Sequence, residues 1–280
     1  MSTRDKLPLA KNHSEEITVE EAVRALGDAA VAAGRLALSM REKGLKTWIK
    51  GKDSPVSDAD IAADALLRER LTAAAPHYEW LSEESAEIAG KVSHRRRWVV
   101  DPIDGTRAFI KGQSDWSVSV ALIEDGRPIA AALFVPETEE LFAAVAGSGA
   151  TKNGTKIQVS HRSALEGARI AGPAFILQRL EGSRLRFDSM PRIHSLALRF
   201  VRAATGEIDL AIASQDSRDW DLAAADLILH EAGGTLTGAD GAKIVYGHPG
   251  AQHPPLFACG LALHPAALAV AGKIFADTAA

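Results

Sequence analysis

The densest chemistry in this chain lies in Asp101-Pro102-Ile103-Asp104-Gly105-Thr106, where two carboxylates and a hydroxyl follow the apolar run Trp98-Val99-Val100. Trp and Val favour a buried strand, and Pro102 has no N–H for a ladder, so the spacing predicts a strand that stops at Asp101. Asp104 then lies one tight turn away, and Gly105 lets the backbone approach a ligand closely. Two carboxylates in one turn repel each other unless a cation lies between them. Hard oxygen donors of this kind suit Mg²⁺, which is held by one or two carboxylates together with a substrate phosphate. The competing reading of the same residues is an Asp-Pro turn with solvated acids, since turn chemistry alone favours them.

Three other places put acids at the ends of elements. Ser57-Asp58 are good N-cap residues for a helix from Ala59 to about Ala75, which sets Asp60 in its first turn. A short strand candidate, Tyr78 to Leu81, runs directly into Ser82-Glu83-Glu84-Ser85. Asp219-Trp220-Asp221 opens a small-residue helix, Asp221 to Ala232, that closes at Gly233-Gly234. Taken singly, each is equally a capping or solvated acid, because complementing a helix dipole is worth a few tenths of a kcal/mol to ~1 kcal/mol.

The elements that must carry these residues are legible from hydrophobic spacing. A long amphipathic helix runs from Ile17 to about Lys43, with Gly44 as its cap. Ser117 to Leu122, Pro128 to Val135 and Glu140 to Val145 read as antiparallel strands joined by Asp125-Gly126 and Gly147-Ser148-Gly149 turns. After about Ser160 the short apolar runs Ala168 to Ala171, Ile208 to Ile212 and Leu256 to Cys259 alternate with helical patterns at Ile193 to Ala204, Asp221 to Ala232 and Pro265 to Asp277. That alternation implies α/β layering. The expected division is a loose tail over 1–16, an α+β half over 17–160 that carries the acids, and an α/β half over 161–280 that completes the site.

The 280 residues carry 32 Lys and Arg against 36 Asp and Glu, so no basic field for a nucleic-acid polymer is present. Arg95-Arg96-Arg97 reads as a solvated loop ahead of a strand. Cys259 is the only cysteine, which excludes an internal disulfide and a thiolate zinc cluster. It reads as a buried, inert thiol, and a reducing, cytoplasmic setting is expected. No window is apolar and long enough to span a bilayer. His248 and His253, among prolines, read as loop residues rather than ligands, and no phosphate-binding P-loop or nucleophile elbow occurs.

Taken in order, W-L-S-E-E-S, D-P-I-D-G-T and W-D-L-A-A-A-D with E-A-G-G resemble the motifs of the inositol monophosphatase superfamily of Mg²⁺-dependent, lithium-sensitive phosphatases, over a span from about Val19 to the C-terminus. The resemblance implies a layered α-β-α-β-α sandwich of α+β class and a homodimer. It implies that Glu83, Asp101 and the Ile103 carbonyl hold one Mg²⁺ and that Asp101, Asp104 and Asp221 hold a second, with a third ion near Glu83. It further implies that Thr106 and Asp60 orient and deprotonate the attacking water, that the N–H groups of Gly105 and Thr106 cradle the phosphate, and that Glu84 supports the ligands. The reaction expected is direct hydrolysis of a small phosphate monoester, with no phosphoenzyme.

The continuation Arg107-Ala108-Phe109-Ile110-Lys111 resembles the bacterial 3'(2'),5'-bisphosphate nucleotidase branch, in which Arg107 and Lys111 would meet the substrate's second phosphate. The absence of a Glu shortly before Trp220 points the same way, although Asp216 could substitute. Inositol monophosphatase is the alternative. A non-catalytic regulatory binding protein is the reading from another class, and it predicts loss of ligand acids, all of which are present.

Overall fold

Thr18 and Glu21 set the start of the first helix, the Thr18 hydroxyl accepting from the Glu21 N–H while the Glu21 carboxylate accepts from the Thr18 N–H. In the computed structural model, which describes residues 16–51, 53–85, 95–247 and 250–275, this helix is α1 (Val19–Lys43). Small inner residues such as Ala22, Ala29, Ala30 and Ala33 are fully buried, which brings α1 close to α2 (Asp58–Ala74). Between the two helices, β1 (Thr47–Lys50) and β2 (Ser54–Ser57) form a largely exposed hairpin.

β3 (Glu79–Ser82) pairs in parallel with β4 (Arg96–Asp104), which leads into the short helix α3 (Thr106–Ile110). An antiparallel meander follows: β5 (Ser117–Glu124), β6 (Arg127–Val135), β7 (Glu140–Val145), β8 (Gly149–Lys152) and β9 (Thr155–Lys156). These seven strands form one sheet in the order β3-β4-β5-β6-β7-β8-β9. The rest of the chain runs β10 (Arg169–Ala171), α4 (Ala174–Gly182), β11 (Asp188–Ser189), α5 (Leu196–Ala204), β12 (Leu210–Ala213), α6 (Asp219–Glu231), β13 (Gly234–Gly238), β14 (Leu256–Gly260) and α7 (His264–Phe275). Its five-stranded sheet has the order β11-β10-β12-β14-β13, parallel at β11-β10-β12 and antiparallel at β14 and β13.

The alternation of side chains along a strand explains the layering. Trp98, Val100, Val118, Val120 and Leu122 point to α1 and α2. Their neighbours Val99, Ala121 and Ile123 point the other way, into a core shared with α5 and α6. That same helical layer packs on Ala211, Leu236 and Ala258 of the second sheet. Ile170, Leu210, Ile212 and Phe257 face outward again to α4 and α7. The result is the expected α-β-α-β-α order, with α5 and α6 as the central layer.

Two expectations need correction. β4 does not stop at Asp101: it continues through Pro102 to Asp104 across an irregularity, where a missing N–H is tolerated. Arg96 and Arg97 are not in a solvated loop but in β4, where Arg96 pairs with Glu124 (2.8 Å) and Arg97 with Glu79 (2.6 Å). His253 lies outside the named helices and strands, as expected, but is buried, its Nε2 lying 2.7 Å from Asp219 Oδ1, while His248 and most of the expected tail lie outside the described residues. Cys259 is buried in β14 as expected, and burial pushes its thiol up to about 12.

Candidate metal centre and active site

Asp101 and Asp104 are three residues apart, so in a regular strand they would point to opposite faces. The β4–β5 register changes this. Asp101 lies opposite Ser119 and Asp104 opposite Ser117, three steps on β4 against two on β5, so the strand carries one extra residue. Such a bulge brings both carboxylates to one face. The turn is closed locally by the Ile103 N–H, which donates to Asp101 Oδ1 (3.1 Å), and by Gly105, whose φ of 96° is costly for any residue with a Cβ.

Asp221 arrives from the second half. It sits in the first turn of α6, where its Oδ2 accepts from the Arg218 N–H (2.6 Å). Ser119 Oγ donates to the Trp220 carbonyl (3.3 Å) and ties this turn to β5. One oxygen from each of Asp101, Asp104 and Asp221 lies within 4.8 Å of the other two. Glu83, at the end of β3, stands outside this three-oxygen group but faces it closely enough to raise the Asp101 pKa.

The electrostatics test whether a cation suits this arrangement. Burial foremost, then Glu83, Asp104 and Asp221, hold the Asp101 carboxyl well above its usual range. Burial and Asp104 do the same to Asp221, and burial, Glu84 and Asp104 push Glu83 to about 7. Lys50, Arg199 and Arg218 offset only part of this for Glu83, Asp104 and Asp221, so the buried acids remain an unfavourable cluster, whereas divalent ions held by hard oxygens would relieve both the repulsion and the desolvation. The donor set therefore fits Mg²⁺.

Four supporting contacts were not legible from the motifs. Asp104 accepts from Ser195 Oγ (2.6 Å), the Ala197 N–H (2.7 Å) and the Leu196 N–H (3.1 Å), so it docks on the N-terminus of α5 and joins the two halves. Asp64 on α2 accepts from Ser82 Oγ and from Ser85 Oγ (2.6 Å), bracketing the Glu83-Glu84 turn. Lys50 Nζ donates to the Glu83 carbonyl (2.7 Å) and pairs with Glu84 (3.2 Å), whose side chain is only 6% exposed. Ser57 donates to Asp60 Oδ2 from its N–H (2.8 Å) and from its hydroxyl (2.6 Å). The N-cap reading at Ser57 was the sequence signal available for the last of these contacts.

Asp60 and Thr106 are brought together as expected. Thr106 Oγ1 lies 3.1 Å from Asp60 Oδ1 and 3.0 Å from the Ile103 carbonyl, and its single proton can serve one of them at a time. Burial raises the Asp60 carboxyl to about 6 against the opposing hydrogen bonds from Ser57 and Thr106. Gly105 and Thr106 stand at the start of α3. Arg107 is otherwise engaged: its Nη2 donates to the Asp53 carbonyl and pairs with the Asp53 carboxylate (3.0 Å). Lys111 lies with Arg107, Asp53 and Ile49 around a separate depression of about 320 Å³.

A family model described as the inositol monophosphatase family matches residues 15–268. The chain belongs to that family. An inositol-1-monophosphatase of Rhizobium meliloti is 36% identical over 71% of this chain and 77% of its own. A protein named Nus factor SuhB from Xylella fastidiosa is 33% identical over 79% of this chain and 83% of its own. The crystal structure of the extragenic suppressor protein suhB of Bartonella henselae superposes with a TM-score of 0.80 at 30% identity, covering 90% of this chain and 98% of that one. Members of this family are metal-dependent phosphomonoesterases that use Mg²⁺, and the chain is such an enzyme.

A second cavity feature adjoins the carboxylates. A space of about 710 Å³ is lined by Pro173, Phe175, Leu177 and Met190 on one side and by Ser214, Gln215 and Asp216 on the other. Leu196, whose N–H holds Asp104, and Ser217, four residues before Asp221, also line it, so the cavity opens beside the metal centre. The stretch from Gly172, uninformative in the sequence, supplies much of its wall.

Proposed function

We propose that this chain hydrolyses adenosine 3',5'-bisphosphate, or a closely related bisphosphonucleotide, to the nucleoside monophosphate and phosphate. Asp101, Asp104, Asp221 and Glu83, with the Ile103 carbonyl, would hold two or three Mg²⁺, and Glu84 would keep the Glu83 turn in place through Lys50. Bound Mg²⁺ supplies charge neutralisation at the transferring phosphoryl group and an acidified water. The chain's own part is positional and protonic. Asp60, fixed by Ser57, accepts a proton through the Thr106 hydroxyl, and the N–H groups of Gly105 and Thr106 face the phosphate at the start of α3.

The observation that carries the choice of leaving group is the wall of the 710 Å³ cavity. Phe175, Met190, Leu177 and Pro173 offer an apolar and aromatic surface that suits a flat heterocycle, with Ser214 and Gln215 available to its polar edge. A polyol would leave this surface in contact with hydroxyls. Inositol 1-phosphate is the second reading, favoured by the printed name of the Rhizobium relative and by Asp216 on the cavity wall. A regulatory role beside turnover is suggested by the name Nus factor carried by the Xylella relative.

A phosphate-release panel with adenosine 3',5'-bisphosphate, inositol 1-phosphate and fructose 1,6-bisphosphate tests the choice. The reading expects the highest kcat/KM for the nucleotide, and a preference for inositol 1-phosphate would replace it by the second. A homodimer and a cytoplasmic location belong to the same proposal, the first resting on resemblance and the second on the lone, buried cysteine. Among the described residues no helix is long and apolar enough to cross a membrane.

A further inference from the structure

The cavity beside the metal centre has two cationic side chains on its wall, of which only the inner one, Arg199, is attracted by Asp104 and Asp115. Two guanidiniums line it, Arg192 and Arg199. Arg199 is held at the rear, donating from Nη1 to the Ile212 carbonyl (3.1 Å) and from Nη2 to the Ile193 carbonyl (2.7 Å). Arg192 is exposed, makes no ion pair or hydrogen bond to any described residue, and stands near enough to repel Arg199 electrostatically. Asp216, the one carboxylate on the described wall, makes no bond to either. Three other cations near the site are engaged: Lys50 with Glu84, Arg107 with Asp53, and Arg218 with the Gly250 carbonyl (2.8 Å), while Lys111 lies at the separate depression beside Arg107 rather than on this wall.

We infer that Arg192 is a specificity-determining residue that binds a second anionic group on the leaving portion of the substrate, so that bisphosphorylated esters are selected over monophosphorylated ones. This inference rests on the cavity being the leaving-group site. It gives to Arg192 the role that the motif resemblance implied for Arg107 and Lys111. The planar fork of an arginine can donate two parallel hydrogen bonds to a phosphate, which suits a free guanidinium at a cavity rim.

The experiment compares kcat/KM for paired substrates in wild type, R192Q and R192K. The pairs are adenosine 3',5'-bisphosphate with adenosine 3'-monophosphate, and fructose 1,6-bisphosphate with fructose 1-phosphate. Hydrogen bonds to a charged group are worth about 1.5–3 kcal/mol, so in at least one pair wild type should favour the bisphosphate by roughly ten- to a hundredfold. In R192Q that ratio should collapse towards one through a higher KM for the bisphosphate, with R192K recovering part of it. A wild-type ratio near one in both pairs, or an R192Q ratio equal to that of wild type, overturns the inference. An equal fall on both members of a pair gives an unchanged ratio, indicates a structural role, and overturns it too. If the sugar pair behaves as expected while neither nucleotide is hydrolysed, the nucleotidase reading fails and the role of Arg192 stands.

Discussion

Asp101 is the hub of the site because it faces Glu83, Asp104, Asp221 and Asp60 together. Asp101→Asn keeps the volume and removes the charge. Phosphate release measured with saturating Mg²⁺ is expected to fall by about a thousandfold or more, since metal assistance is worth several kcal/mol. The metal-free variant should remain folded by circular dichroism and melt no lower than wild type, because a repulsive buried charge has been removed. Asp60 makes a different prediction. With its carboxyl raised to about 6 by burial, and with base function requiring the ionised form, kcat/KM should rise with pH through about 6. Asp60→Asn should lower kcat by roughly a hundredfold to ten-thousandfold and abolish that limb, with KM little changed. The acids as a set were readable only through the ordered motif resemblance, because Asp60, Glu83 and Asp221 taken singly read equally as capping or solvated acids. The pairing of Arg107 with Asp53, 54 residues away in a hairpin, was not readable, because no spacing rule encodes that pair.

At the scale of elements, the site depends on two local devices. The bulge at the end of β4 turns Asp104 to the face of Asp101, and the N-terminus of α5 then holds Asp104 by three donors. Ser195 serves twice, accepting from the Leu198 N–H as a helix cap (2.9 Å) and donating to Asp104. Ser195→Ala should therefore cost about 1–2 kcal/mol of stability, read by urea unfolding, and weaken Mg²⁺ binding in calorimetry. A loss of stability with Mg²⁺ affinity unchanged would reduce Ser195 to a cap. The longer helices and most strands were readable from their periods, whereas α3 and α4 were not. The bulge was not, because Pro102 reads as a stop signal and only pairing with Ser119 and Ser117 reveals that the strand continues.

Over the whole molecule, the α5–α6 layer between two sheets places α6, and with it Asp221, against β4 and β5. Burying this many acids has a consequence for stability. Their folded pKa values lie above the usual carboxylate values, Glu83 at about 7 and Asp60 at about 6, so between about pH 4 and 7 the folded state keeps protons that the unfolded chain has released. More protons on the folded state means that stability falls as pH rises. The metal-free Tm should accordingly drop between about pH 5 and pH 8, and Mg²⁺ should raise Tm more at pH 8 than at pH 5, where it competes with protons. A metal-free Tm that climbs over this range would contradict the electrostatic account. The five-layer order followed from the motif resemblance, not from periodicity, which reported only alternating strands and helices. The cavity beside the metal centre was invisible in the sequence because its two walls, near Phe175 and Gln215, meet only once β10 and β12 pair.

The central claim is that carboxylates from β3, β4 and α6 share one group of divalent ions. Crystals grown without metal and soaked in Mn²⁺, with anomalous differences recorded at the manganese edge, address it directly. The account predicts peaks between Asp101, Asp104 and Asp221, with a further peak on the Glu83 side of Asp101. Full Mn²⁺ occupancy elsewhere, with no peak among these carboxylates, would contradict it.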